Sequence, residues 1–140
     1  MAWKNKDARG SWEAVTSVEV DENELMHIGA DGKTVLADAS SGVVREAHGF
    51  AALRGYTANE RATLVRSGKI AGITDDAGDA LTTGSIYYLS ETPGKIAVAK
   101  PSGDGDVVQV VGVAAGPNEL NIAIGPAFVV ASSGTYLRAL

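Results

Sequence analysis

Val107-Val108-Gln109-Val110-Val111-Gly112-Val113-Ala114 runs into Gly116-Pro117-Asn118 and returns as Leu120-Asn121-Ile122-Ala123-Ile124. The first run is dominated by β-branched valines, which suit a pleated, packed surface. The return alternates in polarity and size at period two, as a half-buried strand does. Gly-Pro-Asn between them supplies turn chemistry, so the stretch reads as two paired strands. The same grammar extends upstream. Gly84-Ser85-Ile86-Tyr87-Tyr88-Leu89-Ser90 reads as a strand, and Thr92-Pro93-Gly94 as a turn in which proline presets φ and glycine supplies a positive one. Lys95-Ile96-Ala97-Val98-Ala99 alternates, and Pro101 to Asp106 reads as a loop. Downstream, Phe128-Val129-Val130 reads as a last short strand, followed by a tail from Ser132 to Leu140.

The N-terminal half is less regular but of the same kind. Val15 to Val20 is β-branched and partly alternating, and Asp21-Glu22-Asn23-Glu24 reads as a solvated acidic loop. Leu25 to Ile28 and Lys33 to Ala37 flank Asp31-Gly32, a hairpin signal because both residues tolerate positive φ. Val43-Val44 and Gly49 to Leu53 read as strands on either side of Arg45-Glu46-Ala47-His48. Thr57-Ala58-Asn59-Glu60 has the shape of a helix capping box, but no apolar period follows, so it reads as a turn. Ala62 to Arg66, Ser67-Gly68 and Lys69 to Ile73 read as strand, turn and strand.

Many short strands with turn residues between them imply an all-β single domain, a small β-barrel-like or β-sandwich-like body. The expected organisation is an extended N-terminal arm over residues 1–14, a β-barrel-like domain over 15–125 and a C-terminal segment over 126–140. No long helix and no tandem repeat is legible.

Composition narrows the function classes. The 140 residues make one domain's worth of chain. Cysteine is absent, which excludes disulfide scaffolds, thiolate metal sites and thiol catalysis. A formal charge of -5 weighs against a nucleic-acid partner, which calls for a basic face. The polar start, Met1 to Asp7, has no apolar core run of a signal peptide, and the longest apolar stretch, near Ile122 to Ala131, is too short to span a bilayer. Neither a nucleic acid nor a membrane is therefore an expected partner.

Catalytic motifs fail one by one. Gly29-Ala30-Asp31-Gly32-Lys33-Thr34 ends like a phosphate-binding loop, but the earlier glycine that motif needs is His27, and strand rather than helix follows. Gly103-x-Gly105 lacks the third glycine of a dinucleotide fingerprint, because position 108 is valine. The two histidines, His27 and His48, cannot make a three-histidine zinc site, and no Gly-x-Ser-x-Gly elbow accompanies them. The aspartates at 75, 76 and 79, or at 104 and 106, do not follow an EF-hand loop and read as solvated turns. No enzyme, no cofactor and no metal is expected.

Gly84 to Ile96, with its Tyr-Leu-Ser and Pro-Gly, followed by Pro101 to Ala114, with Gly-Asp and Val-Gln-Val-Val-Gly-Val-Ala, resembles small virion proteins of tailed bacteriophages. Within that group it is most similar to the capsid decoration, or cement, proteins. Thr34 to Asp38, the Gly49-Phe50 region and Val65 to Ile70, read as a hairpin, fit as well, so the resemblance covers about residues 28–124. It implies a β-tulip type of fold on the outer surface of an icosahedral capsid. Such a protein bridges subunits of the major capsid protein, often as a homotrimer, and carries no catalytic residues. The same β module occurs in phage tail fibres and spikes, which makes a receptor- or glycan-binding module the alternative. On the capsid reading the contacts are expected at the ends of the chain. Trp3 and Trp12 are the expected capsid contacts, because tryptophan is enriched among binding anchors. Phe128, Tyr136 and Leu137 are the expected contacts to a sister subunit or to the shell.

Overall fold

Thirteen strands account for the regular structure among the described residues of a computed structural model, which are 11–131 and 136–140. None of these residues is helical. The first sheet holds β1 (Ser11–Val15), β2 (Leu25–Ile28), β3 (Thr34–Leu36), β4 (Gly49–Ala51) and β5 (Arg61–Val65), in the order β1-β5-β4-β2-β3. The second holds β6 (Ser67–Ala71), β7 (Ile86–Leu89), β8 (Ile96–Ala97), β10 (Val110–Gly116) and β11 (Glu119–Ala123), in the order β6-β11-β10-β7-β8. The third joins β9 (Val107–Val108), β12 (Phe128–Ala131) and β13 (Tyr136–Ala139), with β12 in the middle. All strand pairs are antiparallel. The sheets do not close into a barrel; the body is a sandwich-like single domain.

Period-two alternation explains why one sheet serves two cores. Leu25 and Phe50 stand opposite each other and turn into the main core, where they meet Tyr87, Leu89, Val111 and Leu120 of the second sheet and Val107 of the third. Their neighbours Met26 and Ala51 turn the other way, into a smaller core with Val20, Tyr56, Ala62 and Leu64. The first sheet is therefore apolar on both faces, which requires cover on the outer one. Trp12, Ala14 and Leu36 supply part of that cover.

The decisive hairpin forms as read. β10 and β11 pair with Ala114 opposite Leu120, and a bulge lies between Ala114 and Gly116. The Asp31-Gly32 hairpin also forms, with Ile28 opposite Thr34 and Gly32 at φ 81°. Thr57 to Glu60 is a turn closed by the Glu60 carboxylate, which accepts the Thr57 N–H at 2.7 Å.

Four expectations are corrected. The valine run from 107 splits at Gln109, so that β9 and β10 lie in different sheets. β5 and β6 are not a hairpin: β5 pairs with β1 and β4, β6 pairs with β11, and the chain crosses between sheets at Arg66. Val43-Val44 is not a strand, because the Ser40 carbonyl accepts both of their amides in a turn and Val44 sits at φ 54°. Residues 11–14, assigned to the arm, belong to the sheet, because β1 pairs with β5 along its length. The last short strand expected at Phe128 to Val130 forms as β12, which pairs with β9, and Ala127, Val129 and Val130 are buried.

Candidate interaction surface

The third sheet carries a shallow apolar groove where it meets β7 and β10. β12 sets Phe128 opposite Val108 on one side and Ala139 on the other, and Val130 opposite Leu137. Residues two apart on a strand share a face, as do direct cross-strand partners. Phe128, Val108 and Leu137 therefore line one face, and Val110 and Tyr88, which also stand opposite each other, continue it. Gly125, Pro126 and Lys100 complete its lining, around a volume of about 270 Å³. Leu137 is 48% exposed, although it is a large aliphatic side chain in a strand. Ile86, on the same face of β7 as Tyr88, is 46% exposed and extends the apolar strip. Contiguous exposed apolar side chains are enriched at interaction sites, so this strip is the candidate contact surface.

Two of the expected contact residues, Phe128 and Leu137, thus come together in this groove. Tyr136 pairs with Ala131 through its backbone, while its side chain lies outside the described residues, as does Trp3. Trp12 is separate from the groove. It lies on β1 opposite Leu64, half-buried on the smaller core. Its indole is committed to the fold rather than held on an arm.

A second apolar surface was not foreseen. Leu53 is 78% exposed and holds φ at 79°, a left-handed conformation that costs an L-residue about 1–2 kcal/mol. It borders an open depression of about 490 Å³ with Ala52, Val65, Ile70 and Ala71, beside the free edge of β6. No signal in the sequence distinguishes Leu53 from a strand residue.

The polar clusters are small and each has a structural task. Ser90 donates its hydroxyl to Asp76 at 2.8 Å, and its Oγ also accepts the Thr92 amide, which fixes the Thr92-Pro93-Gly94 turn. Buried Asp106 accepts the amides of Ser41 and Gly103. Glu60 is held below the usual carboxylate range, first by the Thr57 backbone N–H and then by Arg54, whose guanidinium stacks 4.2 Å from the Tyr56 ring centroid. Lys95 pairs with the nearly buried Glu24 at 3.0 Å. His27 and His48 stack with ring centroids 4.9 Å apart. No serine or carboxylate hydrogen-bonds either imidazole among the described contacts, so the triad geometry that acyl transfer requires is not assembled there. Among the described residues no group of three or more histidines and carboxylates is placed to hold a metal ion. No protein-family model matches the chain, and no curated protein matches it either.

Proposed function

We propose that the protein is a structural virion component that decorates the outside of a tailed-phage capsid and stabilises it by bridging major capsid protein subunits. The observation that carries this reading is the exposed apolar groove of Phe128, Leu137, Val110 and Tyr88, built partly from the segment Gly84 to Ala114 that resembles decoration proteins. The groove suits a protein surface better than a small polar ligand, since its lining is mostly apolar and only Lys100 is charged. Many copies binding only the assembled shell would stabilise that shell by mass action, even with a modest area per copy. A net charge of -5 suits an outer surface and not the packaged DNA. In this reading Phe128 and Leu137 contact a sister subunit of a homotrimer or the shell, and the segment with Trp3 contacts the major capsid protein. Binding of the purified protein to capsids that lack it tests the reading. Saturable binding supports it, and the alternative of a receptor- or glycan-binding tail module requires binding to host cells instead.

A further inference from the structure

The sheet contact between β2 and the chain entering β4 is completed by a side chain. β2 pairs with β4 through Leu25 opposite Phe50 and Met26 opposite Gly49. One step further, the His48 amide donates to the Met26 carbonyl at 2.8 Å. The next β2 amide, that of Ile28, finds no backbone acceptor across the gap. It donates to Nδ1 of the His48 ring at 2.8 Å. An N–H only donates, so this Nδ1 carries no proton and the neutral ring holds its hydrogen on Nε2. The stacked His27 ring is bound in the opposite sense. Its Nδ1 lies 2.8 Å from the Glu46 carbonyl oxygen, which only accepts, so His27 carries its hydrogen on Nδ1.

We infer that His48 is an acid-release pin, which holds the strap of residues 40–48 on β2 while neutral and lets go when protonated. Protonation at Nδ1 sets two donors face to face and removes the bond to Ile28. It also places a positive charge on a ring stacked against His27. The charged and titratable groups acting on His48 come from three elements: His27 on β2, Glu46 on the strap, and Arg66 at the crossing from β5 to β6. Only Glu46 favours the cation. Burial holds His48 below the ordinary imidazole range, His27 lowers it further, Glu46 opposes, and Arg66 adds to the lowering. The fold binds the neutral form. Stability is therefore full above the ordinary imidazole range and is lost as the pH falls through that range toward the lowered value of His48.

The strap has a reason to move once unpinned. Val44 within it is β-branched and sits at φ 54°, a strained conformation that persists only while its surroundings enforce it. Its other anchors do not need an unprotonated His48 ring: Arg45 exchanges two backbone bonds with Asp38, Ala47 is held by the Gln109 amide, the His48 amide donates to the Met26 carbonyl, and His27 Nδ1 faces the Glu46 carbonyl. Acid therefore breaks the Ile28 contact of the strap first, while its backbone bond to Met26 remains.

Nitrogen-15 NMR of the full chain, together with urea denaturation at about pH 7.5 and about pH 5, tests the pin. The expected spectrum has the His48 hydrogen on Nε2 at the higher pH and protonation below the ordinary imidazole value. The Ile28 amide is expected to lose protection on acidification, and the urea midpoint to fall. In His48→Asn the side-chain oxygen replaces Nδ1 as an acceptor that does not titrate, and the fall in midpoint should shrink. An equal fall in that variant overturns the inference. So does a His48 that titrates at or above the ordinary value in the wild type, a measurement that holds even if the variant does not fold.

Discussion

The indole of Trp12, on β1, lies where a side chain on Gly49, on β4, would begin. A Cβ added at Gly49 would fall 2.7 Å from Cη2 of Trp12 and 3.2 Å from the Val65 carbonyl oxygen. β5 runs between the two strands, so the ring reaches across it and closes the smaller core over Leu64 and Met26. Glycine is required at position 49 by this close approach, not by its backbone angle. Gly49→Ala is expected to destabilise the fold by about 1–3 kcal/mol, because the ring must leave its place. Trp12→Phe shortens the ring, so the double variant is expected to lose less than the sum of the two single ones. Urea denaturation of all four proteins measures the coupling; strictly additive losses would mean that the ring does not fill this space.

Gln109 ties three segments together. Its Oε1 accepts the Ala47 amide at 2.7 Å, and its Nε2 donates to the carbonyls of Ala47 and Gly125 at 2.9 and 3.0 Å. Gln109→Leu keeps the bulk and removes the partners. The expected cost is about 1–3 kcal/mol for each buried group left unsatisfied. Thermal unfolding should report a clear loss, and a variant as stable as the wild type would show that the amide is dispensable.

Leu53 offers the opposite test. Glycine adopts its φ of 79° without steric cost, and the side chain is mostly in water. Leu53→Gly is expected to leave stability unchanged or raise it by up to about 1 kcal/mol, after the entropy that glycine adds to the unfolded chain. A loss well beyond 1 kcal/mol in urea would mean that the leucine packs on Val65 and Ile70 more than its exposure indicates.

If the proposed capsid contact holds, Leu137 separates folding from assembly. It is 48% exposed in the groove, so Leu137→Asp should fold with a nearly unchanged urea midpoint. Its occupancy on capsids is expected to drop, because an aspartate carboxylate would be desolvated at the contact. Full occupancy with this variant would remove the groove from the capsid or subunit contact.

Removal of residues 1–10, including Trp3, leaves β1 whole, since that strand begins at Ser11. The truncated chain is expected to fold as before and to lose capsid binding. Unchanged binding would move the contact away from the N-terminal segment.

Much of the fold was legible because turn residues leave local marks. Gly32 and Gly94 take the positive φ that their turns need, and Pro117-Asn118 forms the turn between β10 and β11. What stayed illegible depends on contacts distant in sequence. Gln109 breaks a valine run because its amide is needed 62 residues away, at Ala47. Ser67-Gly68 looks like a tight turn, yet β11 claims β6 and draws the chain across to the second sheet. Trp12 reads as a free anchor until Gly49 supplies its place in the smaller core. Of the proposed contact residues, Phe128 and Leu137 were legible as an apolar end, but their union with Tyr88 and Val110 depends on how β9, β10 and β12 meet.

Copy number in purified particles bears most directly on the proposed capsid role. Quantitative mass spectrometry of the virus that encodes this chain should find it in a simple, high ratio to the major capsid protein, as a lattice of equivalent sites requires. A handful of copies would contradict a decorating role and move the protein to the tail, and its absence from the particle would contradict a virion role altogether.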